Sequence, residues 1–350
     1  EWMATPIKDG AWLEWIASLM GAASRQRHTA MLPPQKFHCL LDELPLHLIP
    51  QHSLDRGLQP SDTSQLLFLN PECLVLPAGV VPPKLETHRD LLEGFHLQST
   101  VAWVRDPGTS SLHPFWLGPA LDALVSNLRT GEPVPPSFPQ TQRALLAVAG
   151  ILTPEDYAQR RRAEWSTIVG KRSQTFREKN YVPLDDLIHP FHIAALRRYY
   201  RHAIRRGAIW LGDEQSALRY VAHNEPVARY FHHQITKVVA EIVGEPIQPS
   251  YVYLASYMSG AELKKHTDRE QCEFSVTLCL DFSPEPMLAT PWPIQLDTSA
   301  GTVAAYQALG DGLVYRGTRV PHYRHVLPQG HTSTSLFFHY VPADFSGSLN

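Results

Sequence analysis

"KKHTDREQCEFSVTLCLDF", residues 264–282, decides how this chain is read. His266 and Asp268 stand two apart, so on an extended backbone both side chains project to one face. The run that follows them alternates as a strand does. Two ligand-type side chains on one face can share a metal ion. The plainer alternative is a His–Asp hydrogen bond in a polar turn at the mouth of a sheet. In a chain with 18 histidines the pair alone does not separate these readings. Its context does: the pair lies between an aromatic strand ending at Ser259-Gly260 and a second strand, with more histidines beyond a Gly-Asp-Gly turn near the C-terminus.

One imidazole, one carboxylate and a second imidazole form a facial donor set for Fe(II) that leaves three positions open. The third ligand must come from a later strand. "GDGLVYRGTRVPHYRHVLPQGHTSTSLFFHYV", residues 310–341, offers His322, His325, His331 and His339. His322 begins or just precedes a strand after a second turn, and is the choice. His325, of opposite strand parity, is the runner-up.

Composition narrows the class. The 350 residues are 43% hydrophobic with a formal charge of −3, which suits a globular protein and gives no basic footprint for nucleic acid or an anionic membrane surface. The four cysteines fit neither a zinc site nor a disulfide frame, and read as buried thiols in a reducing cytosol. The chain opens on Glu1 rather than Met, which reads as a missing start. "AWLEWIASLMGAA", residues 11–23, is too short for a membrane span and reads as an amphipathic helix with Trp12, Trp15, Ile16 and Leu19 on one face.

The chain divides into residues 1–155 and residues 156–350. The first part is proline-rich and mixes strands with two short helices, at residues 118–131 and 140–150, as a small α+β or winged-helix-like module would. A charged helical connector follows, with Thr153 as its N-cap and Pro154 at its first position. The helices beginning at Pro190 and Pro226 have prolines at their starts and glycines at their ends. His232 and His233 in the second of these read as surface or packing residues, and His339 as a satisfied sheet histidine. Four strand-like stretches come next, so the expected fold is α+β, with an antiparallel sheet or barrel braced by helices. No GxSxG, P-loop, HExxH or GxGxxG pattern occurs in a plausible context.

Residues 250–282, 291–296, 310–325 and 336–341 together resemble the Fe(II)/2-oxoglutarate-dependent oxygenases, which include the prolyl hydroxylases. The likeness is strongest to bacterial and viral members with a His-Trp-Arg or His-Tyr-Arg distal motif, and spans residues 190–341. It implies a jelly-roll, cupin-like double-stranded β-helix with iron at one mouth. It further implies His266, Asp268 and His322 as iron ligands, Tyr257 beside 2-oxoglutarate, and Fe(II), 2-oxoglutarate and O2 as cofactors and co-substrates. Halogenating relatives lack the carboxylate, so Asp268 implies hydroxylation or desaturation.

One departure stands out. The family anchors the distal carboxylate of 2-oxoglutarate with Arg or Lys about ten residues beyond the distal histidine, where a bidentate fork suits it; this chain has Thr332 there. Arg324 is the first substitute, since it points the same way as His322 on a strand. Arg269, Arg316 and Arg319 remain open, with Thr332 or Ser335 adding a hydroxyl. Trp292 either seats a strand or lines the mouth.

Residues 115–152 are similar in pattern to small winged domains that hold leader peptides, with a brace or lid as the alternative. The expected activity is hydroxylation of an amino-acid side chain, in a peptide or protein, by a cytoplasmic enzyme. The alternatives are the same chemistry on a free small molecule, and a non-catalytic binding module. The sequence leaves the substrate and oligomeric state open.

Overall fold

The computed structural model describes residues 35–50, 52–53 and 66–350. The amphipathic helix expected at residues 11–23 lies outside them. Residues on both sides of position 155 share one core. Phe37 meets Phe231 edge-on at 6.0 Å, Phe115 meets Phe191 at 6.4 Å, and Gln35–Asn350 forms one compact unit.

The early part contains β1 (Phe68–Leu69), β2 (Cys73–Leu76), α1 (Pro83–Glu86), β3 (Val101–Arg105), β4 (Leu112–Trp116), α2 (Pro119–Ser126), α3 (Gln140–Val148) and β5 (Leu152–Thr153). Strands β2, β3 and β4 form one antiparallel sheet, and β1 pairs with β5. Two expectations shift here. The first helix stops at Ser126, five residues before Gly131. Thr153 is no helix cap: it pairs with Phe68 in the β1–β5 ladder, and α4 (Tyr157–Lys179) starts after Asp156.

Helices α5 (Pro190–Arg205) and α6 (Pro226–Val243) begin as their prolines imply. The His189 side chain accepts a hydrogen bond from Phe191 N, and Glu225 accepts one from Ala228 N at 2.9 Å. Gly244, at φ 79°, closes α6 in the left-handed region where a side chain is strained. A cap contributes about 1 kcal/mol, whereas each fully buried large apolar side chain contributes roughly 1.5–3 kcal/mol. With Val227, Phe231, Ile235, Val238, Val239 and Ile242 all buried, packing rather than capping holds α6.

The remaining strands are β6 (Tyr181–Leu184), β7 (Trp210–Leu211), β8 (Arg219–His223), β9 (Ile247–Tyr257), β10 (Leu263–His266), β11 (Phe274–Ser283), β12 (Ile294–Thr298), β13 (Gly301–Ala305), β14 (Gly312–Arg316), β15 (His322–Arg324) and β16 (Thr332–Pro342). They form two antiparallel sheets, ordered β6-β14-β11-β16-β9-β8-β7 and β10-β15-β12-β13. Strand alternation gives the larger sheet two buried faces. Val252, Leu254, Val276, Leu278, Val314, Leu336 and Phe338 face the helices and join the main core. Ala255, Tyr257, Cys279 and Phe337 face inward with Trp292, while Leu313 and Tyr315 meet Ile294 and Leu296 of the smaller sheet. Among the described residues, no helix is long and apolar enough to cross a membrane. All four cysteines are unpaired and buried.

Three histidines, His113 on β4, His189 capping α5 and His192 within it, are expected to make the fold acid-sensitive. His192 is fully buried and stacks on His113 and Phe115. Burial holds its pKa well below the usual value, and burial with His113 nearby lowers that of His189 to about 4. Protonation would also take from His189 the lone pair that caps α5. Above pH 6.5 the imidazoles are neutral in both folded and unfolded chains. As pH falls from there toward 4, the unfolded chain takes up protons that the folded one refuses, so stability falls across that window. The urea midpoint should therefore be lower at pH 5 than at pH 7.5, and this drop should shrink in His192→Gln; an equal drop in both proteins would argue against it.

Candidate metal and co-substrate site

Antiparallel pairing of β10 with β15 puts His266 directly opposite His322, with ring centroids 4.4 Å apart. Asp268 follows just past the end of β10, its N–H held by the Gly317 carbonyl at 2.9 Å. Asp268 Oδ1 lies 3.6 Å from His266 Nε2 and 3.5 Å from His322 Nε2. One donor atom from each of the three residues falls within 4.8 Å of the others.

Both imidazoles are set for ligation. His266 Nδ1 is 2.8 Å from the Lys264 carbonyl and His322 Nδ1 is 3.0 Å from that of Val320. A carbonyl only accepts, so each Nδ1 carries the proton and each Nε2 lone pair turns toward Asp268. Burial lowers the His322 pKa against the opposing pull of Asp268, which keeps that ring neutral. Two imidazole nitrogens and one carboxylate oxygen are the donor set that suits Fe(II) with open positions.

Two residues beyond His322, on the same inner face of β15, lies Arg324, only 4% exposed. Nη1 donates to the Trp292 carbonyl at 2.5 Å and the guanidinium carbon stands 4.8 Å from the Trp292 ring centroid. Nε is buried with no hydrogen-bond partner among the described residues. No carboxylate pairs with it there, and burial pulls its pKa down. A buried cation left unpaired is costly, and a ligand carboxylate would remove that cost. Ser335 Oγ is likewise buried without a partner among the described residues, on the inner face of β16. Tyr257 is fully buried, with its ring 5.1 Å from Trp292 and its hydroxyl accepting from Arg219 Nη1 at 3.0 Å.

The other candidate anchors are placed elsewhere. Arg316 shares the parity of Val314 and therefore faces outward, where Glu273 and Glu245 take its guanidinium at 2.6 and 3.3 Å and Phe274 packs beneath it. It is an outer-face ion pair and not an inward anchor. Arg319 is exposed and also approaches Glu273. Arg269 is exposed at the rim, donating to Tyr251 OH at 3.1 Å. Thr332 opens β16 exposed and of opposite parity to Ser335, so it faces away from the interior. His325 is exposed as well. His232 is buried and bonds the His339 carbonyl at 2.8 Å.

Several residues around the site went unread in the sequence. Ser275 donates to Asp268 Oδ2 at 2.7 Å and meets His339 Nδ1 at 2.9 Å. Gly317 leaves room for Asp268: a Cβ there would overlap Asp268 Oδ2, the Cys272 carbonyl and Ser275 Oγ. Buried Arg219 and half-buried Asp213 and Tyr253 form a network beside Tyr257, with Tyr253 OH 2.6 Å from Asp213 Oδ2. A signal for Ser275 existed in β11, whose second face reads Ser275, Thr277, Cys279 although both faces are buried.

Fold and site together place a two-histidine, one-carboxylate donor set between the seven-stranded and four-stranded sheets. No family model matches the chain, and no curated protein matches it. Among solved structures it is similar to the non-heme alpha ketoglutarate dependent epimerase SnoN from nogalamycin biosynthesis, at TM-score 0.43 and 10% identity over 51% of this chain and 84% of that one. It is also similar to a Pseudomonas putida prolyl-4-hydroxylase, at TM-score 0.42 and 14% identity over 50% and 98%. A third is HygX from Streptomyces hygroscopicus, solved with nickel, 2-oxoglutarate and hygromycin B bound, at TM-score 0.41 and 11% identity over 50% and 88%.

Proposed function

We propose that this chain is an Fe(II)/2-oxoglutarate-dependent oxygenase that hydroxylates an unactivated C–H bond of an amino-acid side chain. One observation carries the reading: on the three-residue strand β15, a ligand-ready imidazole and a buried guanidinium with no acid partner among the described residues stand two residues apart on the inner face. The path of the chain supports a double-stranded β-helix around them. From β9 to β12 it crosses between the sheets at every strand, and it does so again from β13 to β16.

In this reading His266 Nε2, His322 Nε2 and Asp268 Oδ1 hold Fe(II). Bound iron supplies oxygen activation coupled to decarboxylation of 2-oxoglutarate. The balance is R–H + 2-oxoglutarate + O2 → R–OH + succinate + CO2. Arg324 receives the distal carboxylate of the co-substrate, with Tyr257 and Ser335 as hydroxyl neighbours. Trp292, Leu309, Leu327 and Phe337 wall the interior against water.

Anaerobic titration with Fe(II) and 2-oxoglutarate should give the weak visible metal-to-ligand band, absent in His266→Ala. No band in the wild type, or an unchanged one in the variant, would sink the reading. Whether the side chain belongs to a peptide or to a free amino acid is tested on the intact chain, because described residues before 155 form part of the shared core, which their removal would expose. Substrate-dependent succinate release matched to O2 uptake would identify the class, and would exclude a non-catalytic binding module.

A further inference from the structure

We infer that Ser275 and His339 form a positioning pair that makes Asp268 a one-oxygen metal ligand, and so set the metal affinity of the site. The inference rests on the reading of His266, Asp268 and His322 as the metal-holding set.

The two carboxylate oxygens of Asp268 have different surroundings. Oδ1 faces both histidine Nε2 atoms, at 3.6 and 3.5 Å. Oδ2 turns the other way and accepts the Ser275 hydroxyl at 2.7 Å. A carboxylate with one oxygen so occupied offers only the other to a metal. Bidentate ligation would consume one more coordination position and leave too few for a chelating co-substrate together with O2.

Proton counting fixes the partner's role. Ser275 has one hydroxyl proton, and the carboxylate can only accept, so the proton goes to Asp268. Its other neighbour, His339 Nδ1 at 2.9 Å, must then donate to Ser275 Oγ. The competing Cys272 carbonyl is 3.5 Å away, too far for a strong bond. His339 therefore holds the serine oxygen in a direction that leaves its proton aimed at Oδ2.

All three parts are locked. Ser275 is fully buried on β11 and lies directly opposite His339 on β16. The Tyr251 ring packs against His339 at 4.6 Å, and the absence of a side chain at Gly317 leaves the space in which Asp268 and Ser275 meet. Partners that orient a metal ligand in this way typically change metal affinity 10- to 100-fold, on the order of the effect expected here.

The test is anaerobic Co(II) titration of the full-length chain, read by visible absorption and independent of turnover. Ser275→Ala should weaken Co(II) binding about 10- to 100-fold and alter the band pattern, because Oδ2 becomes free to join the coordination. Ser275→Thr, which keeps the hydroxyl, should restore both. His339→Leu should resemble Ser275→Ala, His339→Gln should keep most of the affinity, and the Ala/Leu double variant should be no weaker than Ser275→Ala. Should Ser275→Ala fail to fold, the His339 pair carries the same comparison. Wild-type affinity and spectrum in Ser275→Ala, or in His339→Leu, would overturn the pair while leaving the metal reading intact. Loss of Co(II) binding by the wild type, or its retention by His266→Ala, would overturn the metal reading and this inference with it.

Discussion

Arg324→Leu is expected to raise the melting temperature of the ligand-free protein by several degrees while weakening 2-oxoglutarate binding about 100-fold or more. The two effects share a cause. In the free protein the guanidinium is buried, lacks a carboxylate partner among the described residues, and leaves Nε without a hydrogen bond. Replacing an uncompensated buried charge with a hydrocarbon of similar reach removes its desolvation cost, although the bond to the Trp292 carbonyl is lost. The ligand loses its counter-charge in a dry interior, where truncating one partner of a buried pair costs about 2–5 kcal/mol. Arg324→Lys keeps the charge without the fork and should fall between. Thermal melts of the apoprotein and calorimetric titration of 2-oxoglutarate into the Co(II)-loaded protein measure the two arms. Wild-type affinity in Arg324→Leu would remove this residue as the anchor.

Gly317→Ala should be the most damaging single methyl in the site. The added Cβ would overlap Asp268 Oδ2, the Cys272 carbonyl and Ser275 Oγ at once, and two of these belong to the site's hydrogen-bond chain. The Cys272 carbonyl is backbone, so Asp268 is the group most able to move, and it can do so only by leaving the two histidines. Disturbing the orientation of a metal ligand typically costs roughly 10- to 100-fold in affinity, displacement of the carboxylate itself adds to that, and overpacking adds roughly 1–3 kcal/mol of destabilisation. The expected result is a folded protein of lowered melting temperature with Co(II) affinity reduced at least 100-fold. If Gly317→Ala binds Co(II) like the wild type, the loop relaxes freely and this close approach does not hold Asp268.

Much of this was legible beforehand where local rules dominate. The starts of α5 and α6 followed from Pro190 and Pro226, and β9, β11 and β16 from alternation in runs buried on both faces. The earlier segments were less legible. Thr153 had the chemistry of a cap, but its backbone was taken by a two-residue ladder with Phe68, a pairing 85 positions away that no local pattern encodes. The short helices before position 155 likewise bury their apolar residues in a core shared with α5 and α6.

In the site, residue type and spacing named the candidate donors, since an i, i+2 pair on each of two short segments places His266 with Asp268 and His322 with Arg324. Spacing did not discriminate among the arginines. Arg316 and Arg324 differ in the sheet face they occupy, and among the described residues glutamates reach only Arg316; both depend on which face of each sheet becomes the interior. By itself the sequence determined the chemistry available: two imidazoles, one carboxylate, and a surplus of guanidinium groups. Only the tertiary structure decided which guanidinium is buried toward the interior with no acid among the described residues, and that Ser275, His339 and Gly317 surround the carboxylate. Those choices are made by the closing of two sheets over one interior, where burial strips water from whatever alternation has turned inward.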